Sequence, residues 1–166
     1  HSIQDYLNIY EKLKKINPLI QFSSDFIIAY PGEEENDFIN TLEIVKKLKF
    51  INSFSFVFSP RPGTIASKLK TIDKKVSLQR LRIIQKELFD CQISMNKSLE
   101  NKVIDVLVEN KNKKDNKFFG RTEYMTSAIF EANEEDIGEI ISIKIISSNQ
   151  NTLFGKKVEK SKLKVA

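Results

Sequence analysis

In the first hundred residues, the spacing of hydrophobic residues alternates between that of a helix and that of a strand. Apolar residues spaced by three or four predict helices at 3–16, 35–48 and 74–98. Apolar, β-branched or alternating runs between these helices predict strands at 20–30 and 51–59. Because a helix separates the two strands, the order is typical of a parallel α/β sheet. Two strands cannot complete such a sheet, so we expect the end of a larger α/β unit, with exposed strand edges and an apolar face.

The pattern changes near Leu99, where short alternating runs separated by polar turns begin. Strands are predicted at 102–108, 118–122, 128–130 and 137–146, with a turn and a short strand in 149–155. A polar, lysine-rich stretch at 110–116 is predicted to be the loop of a hairpin. Closely spaced short strands predict a small all-β barrel. The chain therefore divides into two predicted domains, 1–98 and 99–166, and the long helix links them.

Composition restricts the chemistry open to the chain. Its 166 residues carry a net charge of +5, with one cysteine and one histidine. A single cysteine excludes an internal disulfide, an all-cysteine zinc site and an iron–sulfur cluster held by three cysteines of this chain. Cys91 is expected to pack in the long helix as a small hydrophobic residue. The mild basic excess permits a nucleic-acid-binding surface without demanding one.

Two features concern the setting of the protein. No apolar run has the length of a membrane span. The sequence begins at His1 without a signal-like segment, and we expect a piece of a longer cytoplasmic protein.

The first candidate site follows the first predicted strand. Asp25 lies at the beginning of this segment, and Pro31, Gly32 and Glu33 form the turn at its end. Ligands of parallel α/β proteins bind at the carboxyl ends of strands, which favours a binding site here. The alternative is an ordinary turn whose acidic residues stabilise the start of the next helix.

The second candidate site is the segment 59–64, directly after the second predicted strand. Two prolines stiffen the backbone around Arg61 and restrict where its guanidinium points. A restrained arginine suits a carboxylate or a phosphate. The alternative is a rigid loop whose arginine pairs with a local acid.

The third candidate site is the run of lysines and phenylalanines from Lys111 to Arg121. Cations can follow a phosphate backbone, and phenylalanine rings can stack on bases. The alternative is a solvated hairpin loop followed by a core strand. At least one of Phe118 and Phe119 is expected to be buried.

Several segments, in order, resemble the C-terminal part of the radical S-adenosylmethionine methylthiotransferases. They are DFIIAYPGE (25–33), SPRPGT (59–64), VLVE (106–109), GRT (120–122) and LFG (153–155). The resemblance implies the last strands and helices of a radical SAM (β/α) barrel, followed by an OB-like TRAM domain. Arg61 favours the MiaB type, which adds a methylthio group to isopentenylated adenosine next to the tRNA anticodon. A branch acting on threonylcarbamoylated adenosine and one acting on a ribosomal protein stay open.

The resemblance also implies cofactors that this chain cannot hold alone. The full-length enzymes use S-adenosylmethionine and two 4Fe–4S clusters, whose cysteine ligands are absent from this sequence. We therefore expect a monomeric C-terminal piece that is inactive alone and has the missing N-terminal portion of the parent enzyme as a partner.

The resemblance implies roles for individual residues. Asp25, Pro31, Gly32 and Glu33 are expected at the S-adenosylmethionine end of the barrel, and Arg61 beside the substrate base or its phosphate. The TRAM barrel is expected to bind the tRNA anticodon arm by shape and charge. The candidate RNA contacts are Lys113, Lys114, Lys117, Arg121, Lys156 and Lys157. A stand-alone RNA-binding TRAM module without catalysis is the alternative.

Overall fold

The computed structural model describes residues 2–112 and 117–158. The first half of the chain contains three helices and two short strands. They are α1 (Ile3–Ile16), β1 (Asp25–Ile28), α2 (Glu35–Leu48), β2 (Phe54–Val57) and α3 (Lys74–Ser98). The three predicted helices are confirmed, because spacing and end charges are local properties of the sequence. Both strands are shorter than predicted, because only four residues of β1 are paired with four residues of β2.

The two strands of the first half pair in parallel, as predicted. Asp25 lies opposite Phe54, and Ile28 lies opposite Val57. The helices pack on one face of this pair, where Ile28 and residues of α2 and α3 form a buried core. The other face is bare: Ile27 is 60% exposed and Phe54 is 64% exposed. The expected open apolar face is therefore present, whereas the membership of these strands in a larger barrel stays a prediction.

The second half is a closed five-stranded barrel, which confirms the predicted all-β fold. Its strands are β3 (Val103–Lys111), β4 (Phe118–Thr122), β5 (Ser127–Glu131), β6 (Ile140–Ser148) and β7 (Thr152–Lys157). They follow one another around the barrel in the order β3-β4-β5-β7-β6. All neighbours are antiparallel except β5 and β7, which are parallel. The interior is filled by side chains such as Val106, Phe130 and Ile143.

Two limits of the barrel strands differ from the prediction by three residues. β3 continues to Lys111, because pairing with β4 extends beyond the predicted end at 108. β6 begins at Ile140 rather than at 137, because a short 3-10 turn (Glu134–Asp136) precedes it and Gly138 has a positive φ of 89°. Pairing with neighbouring strands thus decides both limits.

Helix α3 joins the two halves and is bonded at both ends. The carboxylate of Asp73 accepts hydrogen bonds from the backbone N–H of Lys75 (2.8 Å) and of Val76 (3.2 Å), which confirms it as the N-cap. At the other end, the fully buried amide of Asn96 donates to the carbonyls of Asn149 (2.8 Å) and Gln150 (2.9 Å) in the β6–β7 turn. These bonds fix the barrel to the end of α3. None of the helices in the described ranges has both the length and the apolar character needed to cross a membrane.

Candidate nucleic-acid interface

The turn after β1 is held in place by the carboxylate of Glu33. Its Oε2 accepts a hydrogen bond from the backbone N–H of Ala29 (2.9 Å), and its Oε1 lies 2.7 Å from Nη1 of Arg80. Arg80 comes from α3 and also forms a 2.7 Å ion pair with Glu35. Both oxygens of Glu33 are therefore engaged inside the protein. Glu33 fixes the shape of the turn, as the alternative of an ordinary strand-to-helix turn requires.

The four residues expected at the S-adenosylmethionine end do not lie together. Pro31 and Gly32 follow the carboxyl end of β1, beside Glu33. Asp25 is the first residue of the same strand. At about 3.3 Å per residue, it lies about 10 Å from Ile28 at the other end. Asp25 is therefore at the opposite end of the strand from the turn, and its place near the S-adenosylmethionine end stays a prediction.

Arg61 lies in the loop after β2, at the same edge as Pro31 and Gly32, since the strands are parallel. Its backbone carbonyl accepts hydrogen bonds from the N–H (3.3 Å) and the hydroxyl (2.8 Å) of Thr64, which close the loop. The Arg61 side chain is exposed. Within the described ranges, no acidic residue pairs with its guanidinium. The local acid of the alternative interpretation is thus not found in this part of the chain.

The residues present do not fit an iron–sulfur cluster. Such a cluster needs several thiolate ligands, and the chain has only Cys91. This thiol is half-buried against the core of the first half, as predicted. Burial raises its pKa, with a further contribution from the charge of Glu87, so the thiolate is disfavoured. Among the described residues, no three His, Cys, Asp or Glu side chains are grouped as a metal site requires.

Three neighbouring strands of the barrel present a row of apolar side chains on the outside. The register places Phe119 of β4 beside Ile129 of β5, and Ile129 beside Phe154 of β7. We call these three residues the aromatic row. All three are partly exposed, whereas Phe118 is buried, so the expectation for the Phe118–Phe119 pair is confirmed.

Lysines border the aromatic row on the side away from α3. Glu131 lies beside Lys156, and Lys156 lies beside Lys144 of β6. By continuation of the β4–β5 register, Lys117 falls next to Glu131. All three lysines are exposed, and none forms an ion pair with a described acid. This edge therefore presents three cations and one anion.

Arg121 borders the aromatic row on the opposite side, facing α3. Its guanidinium carbon lies 5.7 Å from the centre of the Phe119 ring, and its Nε lies 3.1 Å from Oε1 of Glu109. These contacts hold the guanidinium against the ring. Arg121, which the sequence predicted as an RNA contact, is therefore part of this face, although its charge is partly neutralised by Glu109.

Three other lysines predicted as RNA contacts do not contribute to the described part of this face. The Nζ of Lys157 lies 2.7 Å from both carboxylate oxygens of Asp136. The bond from Lys157, together with one from the backbone N–H of Asn133, lowers the pKa of Asp136. Lys157 is thus engaged in an ion pair within the barrel. Because successive side chains of a strand point to opposite sides, it does not share the exposed face with Lys156. Lys113 and Lys114 lie outside the described residues.

Sequence reasoning missed Ile129, Lys144 and Phe154 as members of this face. Phe154 and Lys156 are two positions apart on one predicted strand, and this spacing indicated that their side chains lie on the same side. Which strands lie next to β7 depends on register, however, and register cannot be derived from one strand alone.

A cleft of about 440 Å³ lies where the barrel meets the first half. Arg121 and Ser127 line it from the barrel, so the cleft is continuous with the side of the aromatic row that faces α3. Phe89 of α3 and Met125 of the β4–β5 turn also line it and are exposed. This cleft therefore adjoins the basic and aromatic face at Arg121.

The barrel and Arg61 lie at opposite ends of α3. Arg80 contacts the turn at the carboxyl end of β1, and Asn96 contacts the barrel. These residues are sixteen positions apart on one helix, which corresponds to about 24 Å. A molecule that touches both Arg61 and the barrel must therefore span a distance of this order.

Comparisons with known proteins agree with this architecture. The sequence profile of the TRAM domain matches residues 97–158. The chain is 63% identical over all 166 residues to the tRNA-2-methylthio-N(6)-dimethylallyladenosine synthase of Pelagibacter ubique (strain HTCC1062), and covers 37% of that protein.

Two further relatives carry the same name. The identity is 42% over 156 residues with the protein of Ruthia magnifica and 35% over 158 residues with that of Wolbachia pipientis wMel. In both, 93% of this chain is aligned, with 35% and 36% of the relative's length. Residues 97–158 thus match the TRAM domain, and along its whole length the chain is similar to the C-terminal part of tRNA-2-methylthio-N(6)-dimethylallyladenosine synthases.

Proposed function

We propose that this chain is the RNA-docking and substrate-positioning part of a tRNA methylthiotransferase. The enzyme would add a methylthio group to isopentenylated adenosine next to the anticodon. The observation that carries the proposal is the 63% identity over the whole chain to a synthase named for this nucleoside. Because the similarity includes residues 1–98 as well as the barrel, a stand-alone RNA-binding module is not favoured. The names of the relatives likewise do not favour a ribosomal protein as substrate.

The radical chemistry of such an enzyme comes from S-adenosylmethionine and two 4Fe–4S clusters. The residues of this chain provide no ligand set for a cluster, so we propose that the chain is inactive without an N-terminal portion. The bare face of β1 and β2, with Ile27, Phe54 and Phe56 exposed, is where further strands of a radical SAM barrel would pack. Burial of this face would account for three large apolar side chains that water otherwise contacts.

Residues of this chain would position the reactants at the carboxyl edge of the sheet. Glu33 and Arg80 hold the turn that contains Pro31 and Gly32. A fixed turn at this edge suits the S-adenosylmethionine end of the barrel. Arg61, exposed at the same edge and without a described acidic partner, would contact the substrate base or its phosphate.

The barrel would bind the anticodon arm away from the reacting base. Its exposed face combines Lys117, Lys156 and Arg121 with aromatic side chains, which suits an RNA backbone and its bases. The separation of about 24 Å along α3 means that docking and reaction involve different parts of one RNA. A short RNA that reaches only one end would lose one of the two contacts.

A chimera tests the enzymatic part of the proposal. This chain replaces the matching 37% of the Pelagibacter ubique synthase in a cell that lacks the methylthiotransferase. Mass spectrometry of digested tRNA should show the methylthio nucleoside restored. Arg61→Ala should lower its yield, and Arg82→Ala, at an exposed site on α3, should not. A soluble chimera that leaves the nucleoside unmodified would contradict the proposal.

Binding of the isolated chain tests the docking part. Fluorescence anisotropy with an unmodified anticodon-arm hairpin should show binding that weakens as salt concentration rises. Undetectable or salt-independent binding would remove RNA docking from the proposed function.

A further inference from the structure

We infer that the aromatic row of the barrel binds an unpaired stretch of RNA by stacking on its bases, and does not bind a duplex. The inference rests on the proposed RNA-docking function and states which form of RNA this face accepts. It concerns Phe119, which belongs to the run whose rings the sequence suggested could stack on bases, and Ile129 and Phe154, which the sequence did not single out as RNA contacts.

The spacing of the row suits two bases of one unpaired strand. Neighbouring strands are about 4.8 Å apart, so Phe119 and Phe154, with one strand between them, lie about 10 Å apart. Ile129 fills the space between the two rings and keeps the surface continuous. A strand of RNA that crosses β4, β5 and β7 would place one base over each ring. An exposed ring can stack on any base, because every base has a π-face.

The charges around the row can follow a single backbone. Lys117, Lys144 and Lys156 lie along one side, and Arg121 lies along the other. The centre of the face carries no cation, because Ile129 and the two rings occupy it. Phosphates can therefore lie along the edges while bases cover the middle.

A duplex does not match this distribution. Its bases are stacked inside, and its surface offers sugars and phosphates across a wide, shallow groove. Placed on this face, a duplex would set charged phosphates against Phe119, Ile129 and Phe154. The apolar centre would then remove water from phosphates without a compensating charge.

The cleft beside Arg121 extends the same surface. Its volume of about 440 Å³ is within the range of small-ligand pockets and is enough for about one nucleotide. Phe89 and Met125 expose apolar surface there, and Ser127 and Gln150 contribute polar groups. A strand leaving the aromatic row on this side would place its next base in the cleft.

Apolar residues at the start of β6 provide a matched control. Ile137, just before the strand, and Ile140, its first residue, are 45% and 66% exposed, and both precede the part of β6 that pairs with β7. These side chains are apolar and accessible like the aromatic row, but carry no rings. Their truncation tests whether loss of exposed apolar surface alone affects binding.

The test compares the full chain with Phe119→Leu/Phe154→Leu and with Ile137→Ala/Ile140→Ala. The probes are a fluorescein-labelled single-stranded RNA of about ten nucleotides, its blunt duplex and an anticodon-arm hairpin. The chain should bind the single strand more tightly than the duplex. The double phenylalanine variant should lose about 10-fold or more in affinity for the single strand, and the control variant should not. Leucine keeps the apolar volume, and circular dichroism checks that the barrel is folded.

Salt dependence provides a second readout that does not involve the rings. In Lys117→Ala/Lys156→Ala, the slope of log affinity against log salt for the single strand should decrease in size by about 1.4, with Lys97→Ala/Lys102→Ala unchanged. A tighter complex with the duplex, or equal losses in the phenylalanine and control variants, would overturn the inference while RNA docking stands. Absence of binding to all three probes would overturn the inference and would also remove RNA docking from the proposed function.

Discussion

Arg80 and Glu33 form a buried ion pair between α3 and the turn after β1, with 2.7 Å between Nη1 and Oε1. Their side chains are only 8% and 12% exposed. The pair connects positions 47 residues apart and ties the linking helix to the turn that precedes α2. The ring of Phe38 lies 5.4 Å from the guanidinium carbon, so Arg80 is also in contact with the core. Arg80 therefore joins distant segments of the first half through its ion pairs with Glu33 and Glu35 and through its contact with the core.

Breaking this pair should destabilise the first half strongly. Arg80→Leu leaves the carboxylate of Glu33 buried without its partner, and we expect a loss of about 3–5 kcal/mol in the free energy of unfolding. Urea denaturation followed by circular dichroism measures the change. Arg80→Leu/Glu33→Gln should recover part of the loss, because the uncompensated charge is gone.

An exposed pair provides the control for that experiment. Lys86 and Asp90 form an ion pair on the surface of α3, with side chains 78% and 52% exposed. Lys86→Ala should leave the unfolding midpoint unchanged. An equal loss in Arg80→Leu and Lys86→Ala would contradict a special role for the buried pair.

Acid should weaken the barrel through Asp136. The bonds from Lys157 and the backbone N–H of Asn133 hold its pKa below the ordinary value of 3.8. Since the pKa is lower in the folded than in the unfolded state, this carboxylate stabilises the fold above about pH 4. That contribution is lost as pH falls below 4 through the folded-state pKa. Thermal unfolding between pH 2 and 6 measures this effect. The unfolding midpoint should fall less with acid in Asp136→Asn than in the parent chain. Equal falls in the two proteins would refute the role of Asp136.

Gly120 should not tolerate a side chain. A Cβ at this position would lie 2.7 Å from Cγ1 of Val106 and even closer to the carbonyl oxygen of Leu107 on β3. Gly120→Ala must separate β4 from β3, and we expect a cost of about 1–3 kcal/mol or more. Gly138→Ala is the control in the same barrel, because nothing lies within 4 Å of its Cβ and only its φ of 89° is unfavourable. Hydrogen exchange should show lost protection in β3 and β4 for Gly120→Ala alone.

The two halves should differ in their ability to fold when each is expressed alone. Residues 99–166 include all five strands of the closed barrel and most of its core, and we expect them to fold alone. Residues 1–98 keep the bare face with Ile27 and Phe54 exposed, and we expect aggregation or mobility. Hydrogen exchange on each piece measures this, with a barrel piece that begins at Met95 as a second variant, since Met95 packs against the core. Equal protection in both halves would count against the prediction.

Local sequence determined the helices of this protein. The three- and four-residue spacing of apolar side chains, and an N-cap such as Asp73, depend on neighbours within a few positions. The helix limits therefore followed from the sequence alone. The parallel class of the first half and the all-β class of the second also followed, because element order and strand spacing restrict topology. The presence of a single cysteine was likewise enough to exclude a cluster held by this chain, because the number of thiolates does not depend on the fold.

Only the tertiary structure decided which distant residues meet. Asp25 was expected with Glu33, yet it lies at the opposite end of the strand from the turn. The partner of Glu33 proved to be Arg80, on a helix 47 positions away. The aromatic row depends on the register of β4, β5 and β7, and that register results from packing the barrel interior. No single strand contains this information, because register is a property of the pairing between strands.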